Sequence, residues 1–197
     1  MSDKRLVCGV GLYEKGKYIS TVGRKITKEY HLWYNMLQRC YLEKNLNLRP
    51  TYRGCSVSEE FRDFQRFAEW CNTQIGFGVK GYHLDKDIIY KGNKQYNRDS
   101  CAFVPRQLNL VMVNQKASRG ECPIGVSYHK VKGKYIANVM VMGKYKSVGH
   151  FSTPEEAFCA YKIAKEAYVK LLANEYKGSI DSRVYQALLD WTVEVED

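Results

Sequence analysis

"GVSYHKVKGKYIANVMVMGKYKSVGHF", residues 125–151, decides the fold of the C-terminal part of this chain. It contains three short stretches rich in Val, Ile and Tyr, and Gly133 and Gly143 stand between them. Such residues favour strands, and a glycine between two strands favours a tight turn. The stretch therefore predicts a three-stranded antiparallel sheet.

The segment after these strands predicts a helix that packs behind the sheet. Thr153 is a suitable N-cap, Pro154 stands at the first helical position, and Glu156 completes a capping box. Small and aromatic side chains then recur at helical spacing, which would let a sheet approach closely. This stripe consists of Ala157, Ala160, Tyr161, Ala164 and Tyr168. Residues 180–197 predict one more helix and an acidic end.

The N-terminal part predicts an extended arm or hairpin followed by two amphipathic helices. In the first helix the apolar positions fall at helical spacing. They are Tyr30, Trp33, Leu37, Cys40 and Tyr41. In the second helix, Ser58 is a plausible N-cap and Gly76 a terminator. Its buried face is expected to hold Phe61, Phe64, Phe67, Ala68 and Cys71.

"YHLDKDIIYKGNKQYNRDSCAFVP", residues 82–105, predicts a strand, a Gly-Asn turn and a second apolar strand that ends at Pro105. A helix that begins at Pro105 would carry Leu108, Val111 and Met112 on its apolar side and Asn109 beside it. Residues 114–123 are polar and contain glycine, which is typical of a linker. We therefore predict an α+β protein of two domains, residues 1–117 and 118–197.

Charge and composition favour a polyanionic partner. The chain has 31 Lys and Arg against 21 Asp and Glu, which gives a net charge of +10. Its 16 tyrosines and 3 tryptophans suit base stacking, although most are expected in the core. No apolar run approaches the roughly 20 residues of a membrane span, and the start has no signal segment. We expect a soluble, cytoplasmic protein with no membrane partner.

The seven cysteines predict reduced thiols, most of them buried. None forms a Cys-x-x-Cys pair, and none lies near a histidine at zinc-finger spacing. Cys40, Cys55, Cys71 and Cys101 are the four that could converge on a zinc ion. Without a paired knuckle, we do not expect a structural zinc ion.

The C-terminal segment resembles the Apetala/ethylene-response-factor type of DNA-binding domain over almost its full length. The resemblance depends on Gly125-Val126, Gly133-Lys134-Tyr135, Val148-Gly149 before Phe151, and the Thr153 to Tyr161 region. It implies that one face of the sheet lies in the major groove of double-stranded DNA while the helix packs behind it. The groove-facing positions that it implies are Ser127, His129, Asn138, Met140, Tyr145, Ser147 and His150.

None of these positions holds an arginine, the residue that reads guanine with two hydrogen bonds. We therefore expect binding that is led by phosphate contacts and has low or different sequence specificity. The lysines expected to supply the affinity are Lys130, Lys132, Lys134, Lys144 and Lys146.

The N-terminal part resembles phage-borne HNH-endonuclease-like proteins, which commonly carry such a C-terminal domain. The resemblance depends on YHLWYNMLQRCY, YRGCSVSEEFRDFQRFAEW and HLDKDIIYKGNKQYNRDSCAFVPRQLN. It implies a ββα-metal core with flanking helices, one divalent cation (Mg²⁺ or Mn²⁺), and a location in the cytoplasm of the host cell. Asp85 then takes the place of the metal-binding aspartate, and Asn109 keeps the ligand position on the helix.

Two positions depart from that family. Lys86 stands where the family has its general-base histidine, and Tyr96 replaces the asparagine of the loop. On a continuing strand, His83, Asp85 and Asp87 would share one side, so that Asp87 is a further candidate ligand and His83 a substitute base. Lys86 is a poor base beside two aspartates, and it fits better as a phosphate clamp or as the ion-pair partner of a carboxylate.

Three functions follow from these patterns. The first is metal-dependent nicking or homing cleavage of DNA by an atypical HNH-like site. The second is an inactive HNH-like binding protein that blocks a nucleic-acid process or inhibits a host defence protein, with a host or phage protein as its partner. The third is RNA binding, because basic aromatic sheets also stack single-stranded bases. A homodimer stays open as well, because palindromic cutting needs two cores.

Overall fold

The chain folds into two units of mixed helix and strand, so the predicted α+β class is confirmed at this level. The computed structural model describes residues 6–112, 121–195 and 197. The first unit is Met1–Pro105 with Ser179–Asp181, and the second is Arg106–Gly178 with Ser182–Asp197. The predicted boundary near residue 117 lies outside the described residues.

Short strands and helices alternate in the first unit. The helices are α1 (Lys28–Tyr41), α2 (Glu43–Leu48), α3 (Glu59–Arg62) and α4 (Phe64–Thr73). The strands are β1 (Thr21–Val22), β2 (Lys25–Ile26), β3 (Ser56–Val57), β4 (Tyr82–Asp85), β5 (Gln95–Tyr96) and β6 (Ala102–Pro105). They pair as β1 with β2, β3 with β5, and β4 with β6; only the β3–β5 pair is parallel.

An aromatic core holds the first unit together. Trp33 of α1 is fully buried, and its indole Nε1 donates to the main-chain oxygen of Phe61 at 2.8 Å. The ring of Phe61 lies 4.7 Å from that of Trp70, which in turn stacks on Phe103 of β6. Because all five predicted core positions of the second helix are buried, its aromatic face is confirmed as core.

The second predicted helix is interrupted at one residue. Ser58 caps α3 as predicted, but Asp63 adopts extended backbone angles and caps α4. The cause is remote in sequence: the N–H of Leu12 donates to Arg62, and the N–H of Phe64 donates back to Leu12. The N-terminal arm thereby takes the backbone bonds that a continuous helix would have made.

In its described residues, the second unit contains a three-stranded sheet and three helices. Its helices are α5 (Arg106–Met112), α6 (Pro154–Glu175) and α7 (Ser182–Leu189). Its antiparallel strands are β7 (Val126–His129), β8 (Lys134–Val141) and β9 (Lys144–Phe151), in that order in the sheet. The predicted three strands, and the capping box of Thr153 and Glu156 on α6, are confirmed.

Helix α6 covers one face of this sheet. Val126, Ala137 and Val139 are buried there against Ala157 and Tyr161 of the predicted small stripe. Gly125, which precedes β7, has a φ of +75°, and a Cβ atom at this position would lie 2.1 Å from the ring of Tyr161. Close approach of the chain to α6 therefore requires glycine here.

We expect Gly125→Ala to destabilise the second unit by about 1–3 kcal/mol more than Gly143→Ala. Gly143 is a matched control, because it has the same φ of +75° and a Cβ atom there would meet nothing within 4 Å. Both variants carry the strain of a left-handed alanine, and only the first also displaces Tyr161. Urea denaturation, monitored through amide hydrogen exchange in β8, measures the difference in the free energy of unfolding. Equal losses of stability in the two variants would mean that the ring of Tyr161 moves aside without cost.

No helix within the described ranges has both the length and the apolar character needed to cross a membrane.

Candidate functional site

The carboxylate of Asp85 closes the turn that follows β4. Its Oδ1 atom accepts hydrogen bonds from the main-chain N–H groups of Asp87, at 2.9 Å, and Ile88, at 2.7 Å. An aspartate that bonds the backbone two and three residues ahead fixes a local turn. The residue is only 9% exposed. Asp85 therefore has a structural role that can be read directly from its contacts.

Burial sets the protonation behaviour of Asp85. Burial away from solvent raises its pKa most, and the charge of the neighbouring Asp87 raises it further, to about 6. The two main-chain N–H donors act in the opposite direction. Asp85 is thus ionised above about pH 6 at a cost to the folded state, and it becomes neutral in mildly acidic solution.

Lys86 fastens the two ends of the loop between β4 and β5. Its ammonium donates to Asp87 Oδ2 at 3.0 Å and to the main-chain oxygen of Asn93 at 2.9 Å. The side chain of Asn93 donates in return to the main-chain oxygen of Lys86 at 2.7 Å. The ammonium also lies 5.9 Å from the ring centre of the buried Tyr96. Of the two roles predicted for Lys86, the structure contains the ion pair with a carboxylate.

The position of Lys86 makes it a cation and not a base. Burial by itself would lower its pKa, but the hydrogen bond and the charge of Asp87 outweigh burial, so the pKa is raised. A lysine in this state keeps its proton at neutral pH. It cannot take a proton from water as the histidine of the resembled family does.

The other two predicted members of this site are His83 and Asn109. His83 is exposed on β4, opposite Val104 of β6. Because β4 ends at Asp85, strand alternation does not extend to Asp87, and the expected common side of His83, Asp85 and Asp87 is not formed by one strand. Asn109 is half-buried on α5, which belongs to the second unit.

The donor set around Asp85 fits a divalent cation poorly. No three His, Cys, Asp or Glu side chains among the described residues gather into a group that could hold a metal ion. Asp85 Oδ1 already accepts two N–H groups, and Asp87 is paired with the Lys86 ammonium. A second cation beside that ammonium would be repelled. We therefore derive no catalytic step through a metal here.

The cysteines are free thiols, and Cys40, Cys55, Cys71 and Cys101 are buried as predicted. Burial raises the pKa of Cys40 to about 12, and burial likewise raises that of Cys101 to about 12. Thiols of this kind stay protonated and unreactive. They act as small apolar residues of the first unit's core.

The β7–β8–β9 sheet leaves one broad face away from α6, which we call the open face. Cross-strand partners share a face of a sheet, and the pairs on this face are Ser127 with Ile136, Ile136 with His150, His129 with Lys134, Asn138 with Ser147, and Met140 with Tyr145. All seven positions predicted to face the groove are therefore on the same face. Ile136 and Lys134 complete it.

A β-bulge is what brings Ser147 and His150 to the same face. These residues are three apart on β9, so strict alternation would place them on opposite faces. The pairing shifts between Ala137 and Asn138, whose partners are Gly149 and Ser147, and Val148 is the extra residue. The bulge thus extends the open face along β9 to His150.

Positive charge surrounds this face. Lys130 and Lys132 are exposed in the turn between β7 and β8, and Lys134 is exposed on the open face itself. Lys144 and Lys146 pair with Val141 and Val139, so their side chains leave the edge strand β9 on the face that packs against α6. From residue 122 to residue 154 the chain has no Asp or Glu. Every Asp, Glu, Lys or Arg side chain within this stretch is therefore a cation.

No protein-family model matches the chain, and no curated protein or solved structure matches it. The two resemblances described above remain expectations. The turn at Gly92-Asn93 was predicted from the sequence, but the hydrogen bonds between Lys86 and Asn93 were not.

Proposed function

We propose that this chain binds double-stranded DNA through the open face and the lysines at its end. The observation that supports the proposal is the strand register. It gathers seven polar, aromatic or thioether side chains on a face that the chain's own helix α6 does not cover. The absence of Asp and Glu from residues 122–154 makes the same face attractive to phosphate.

The chemistry of the face suits phosphate-led contact with limited base readout. The major groove admits a β-ribbon, and lysines at its edges would neutralise phosphates. Asn138 can present its amide to adenine, and Ser127, Ser147 and His150 are short donors or acceptors. Asn138 Nδ2 lies 3.4 Å from Ser127 Oγ, so the two side chains would act together. Without an arginine among them, tight discrimination of guanine is not expected.

Competition experiments test this proposal. A fluorescently labelled duplex, bound by the full chain, is challenged with unlabelled duplex DNA, single-stranded DNA, single-stranded RNA and double-stranded RNA. We expect duplex DNA to compete best. If single-stranded RNA competed better than the duplex, the open face would be an RNA platform and the proposal would fail.

Endonuclease activity is a second candidate for the first unit. The order strand, loop, strand, helix in β4, β6 and α5 supports it, because this is the order implied by the resemblance. The contacts of Asp85 and Lys86 support the non-cutting alternative more directly, since the carboxylate and the ammonium both hold the loop. We propose that the chain acts by occupying DNA.

We expect no nicking of supercoiled plasmid that depends on Mg²⁺ or Mn²⁺. The assay compares wild type with and without EDTA and includes Asp85→Asn, which keeps the shape and the turn-closing oxygen of Asp85 while it removes the charge that a metal would need. Nicking that both EDTA and Asp85→Asn stop would establish a working metal site and reverse this assignment.

A further inference from the structure

The second unit contains a cavity of about 1050 Å³ beside the part of β8 that β7 does not reach. Strand β7 pairs only as far as Ala137, and beyond it β8 has, among the described residues, a strand partner on the β9 side alone. Helices α5 and α6 and the end of β8 supply the walls, with Leu110, Tyr161 and Met140 among the lining residues. The volume is at the upper end of the roughly 300–1,000 Å³ typical of small-molecule sites.

A buried lysine lines this cavity. Lys165 of α6 is 7% exposed, and its ammonium donates to the main-chain oxygen of Val111 at 2.6 Å. An ammonium has three donors, and within the described part of the chain only that carbonyl accepts from it. No carboxylate in that part lies within ion-pair distance of Lys165. Burial accordingly lowers the pKa of Lys165 to about 8.

The lining is complementary to an anion that has an apolar body. Among the described residues that line the cavity none is acidic, and Arg106 is a second cation. The other walls are largely aliphatic, aromatic or thioether groups, including Met142 and Tyr168. A buried ammonium with unused donors is costly, and an acidic group within reach would provide both the missing charge and the missing acceptors.

We propose that this cavity binds a small organic anion, an apolar or aromatic body that carries one acidic group, with the acidic group held by Lys165. Ser127, Asn138, Met140 and Tyr145 of the open face also line this cavity, so a bound anion would share part of that face with duplex DNA. Lys165 itself is buried, whereas the lysines of the open face are exposed. The site needs no contribution from the first unit.

The test uses two probes with the same aromatic body. 8-Anilino-1-naphthalenesulfonate carries a sulfonate, and N-phenyl-1-naphthylamine is its neutral counterpart. Both increase in fluorescence in an apolar cavity, so each can be titrated against the full chain. We expect saturable binding of the sulfonate with one probe per chain.

Lys165→Met is the deciding variant, because it keeps the length and packing of the side chain and removes the charge. We expect it to weaken sulfonate binding about tenfold or more while it leaves binding of the neutral probe unchanged. Lys170→Met is the matched control, since Lys170 is exposed on the same helix. It should bind both probes as wild type does.

Two results would overturn the proposal. If wild type did not bind the sulfonate, or Lys165→Met bound it equally well, the lysine would hold no acid. If Lys165→Met lost both probes together, Lys165 would shape the cavity without recognising charge.

Discussion

Replacement of Asp85 by alanine is expected to lower the free energy of unfolding of the first unit by about 2–5 kcal/mol. The variant leaves two main-chain N–H groups, those of Asp87 and the buried Ile88, without their acceptor. Asp85→Asn keeps an oxygen at the same place and is expected to retain the stability of wild type, or exceed it, at about pH 7.5. Urea denaturation followed by the fluorescence of Trp33 and Trp70, in a Trp191→Phe background, measures both.

The raised pKa of Asp85 determines how the stabilities of wild type and Asp85→Asn differ with pH. Burial and the nearby Asp87 raise the pKa of Asp85 from 3.8 to about 6, so the folded chain holds a proton that the unfolded chain releases. The stability that this proton binding contributes is fully present below about pH 4 and is lost as the pH rises through about 6. Asparagine does not titrate. The stability of Asp85→Asn relative to wild type should therefore rise by about 2–3 kcal/mol between about pH 4 and about pH 7.5.

A contrary result would be informative. If Asp85→Asn were as unstable as Asp85→Ala at about pH 7.5, the charge itself would be needed, as expected for a carboxylate that binds a cation. For the same reason, loss of DNA cutting by Asp85→Ala would not identify a metal ligand, because that variant also opens the turn. Asp85→Asn is the variant that separates the two roles.

Local sequence signals predicted the parts of the fold that depend on neighbours along the chain. The caps Ser58 and Thr153 and the buried face of α4 follow from spacing and capping chemistry alone. In α1 and α6 the predicted stripes are buried only in part, because Tyr30, Tyr41, Ala160 and Ala164 are half-buried. The break at Asp63 could not be predicted in this way, because the backbone of Leu12, about fifty residues earlier, causes it. Long-range pairing decides such features, and helical periodicity does not record it.

The residues of the candidate sites also divide into those that local patterns predict and those that depend on contacts remote in sequence. Alternation along β7 and β8 is enough to place Ser127 and Asn138 on one face, whereas the position of His150 depends on a bulge that no period-2 pattern contains. The end of β4 at Asp85 changed the expected neighbours of Lys86, which is buried by contacts with Asn93 and Tyr96 further along the chain. Lys165 was missed although it stands beside the apolar stripe of α6, where a charged residue at helical spacing from Tyr161 was the available signal.

Replacement of Lys130, Lys132 and Lys134 together by glutamine is expected to weaken duplex binding about 100-fold at about 0.1 M salt. Each phosphate contact on B-DNA contributes about 0.9 to the slope of log K against log salt, so the slope should become shallower by up to about 2.7. The three side chains are exposed in or beside the β7–β8 turn, and their substitution removes no core contact. Fluorescence anisotropy with one labelled duplex over a salt series measures affinity and slope in the same experiment.

A matched variant tests whether position or net charge is responsible. Lys15, Lys17 and Lys25 are exposed in the N-terminal arm of the first unit, and their replacement by glutamine changes the net charge of the chain by the same amount. General attraction between a chain of charge +10 and DNA would weaken equally in both triple variants. Contact through the open face predicts a much larger loss of affinity and slope for the turn variant. If the slope of log K against log salt became shallower by the same amount in both triple variants, the open face would not be where phosphates bind. Contact at the open face requires that counterion release be reduced in the turn variant and not in the arm variant.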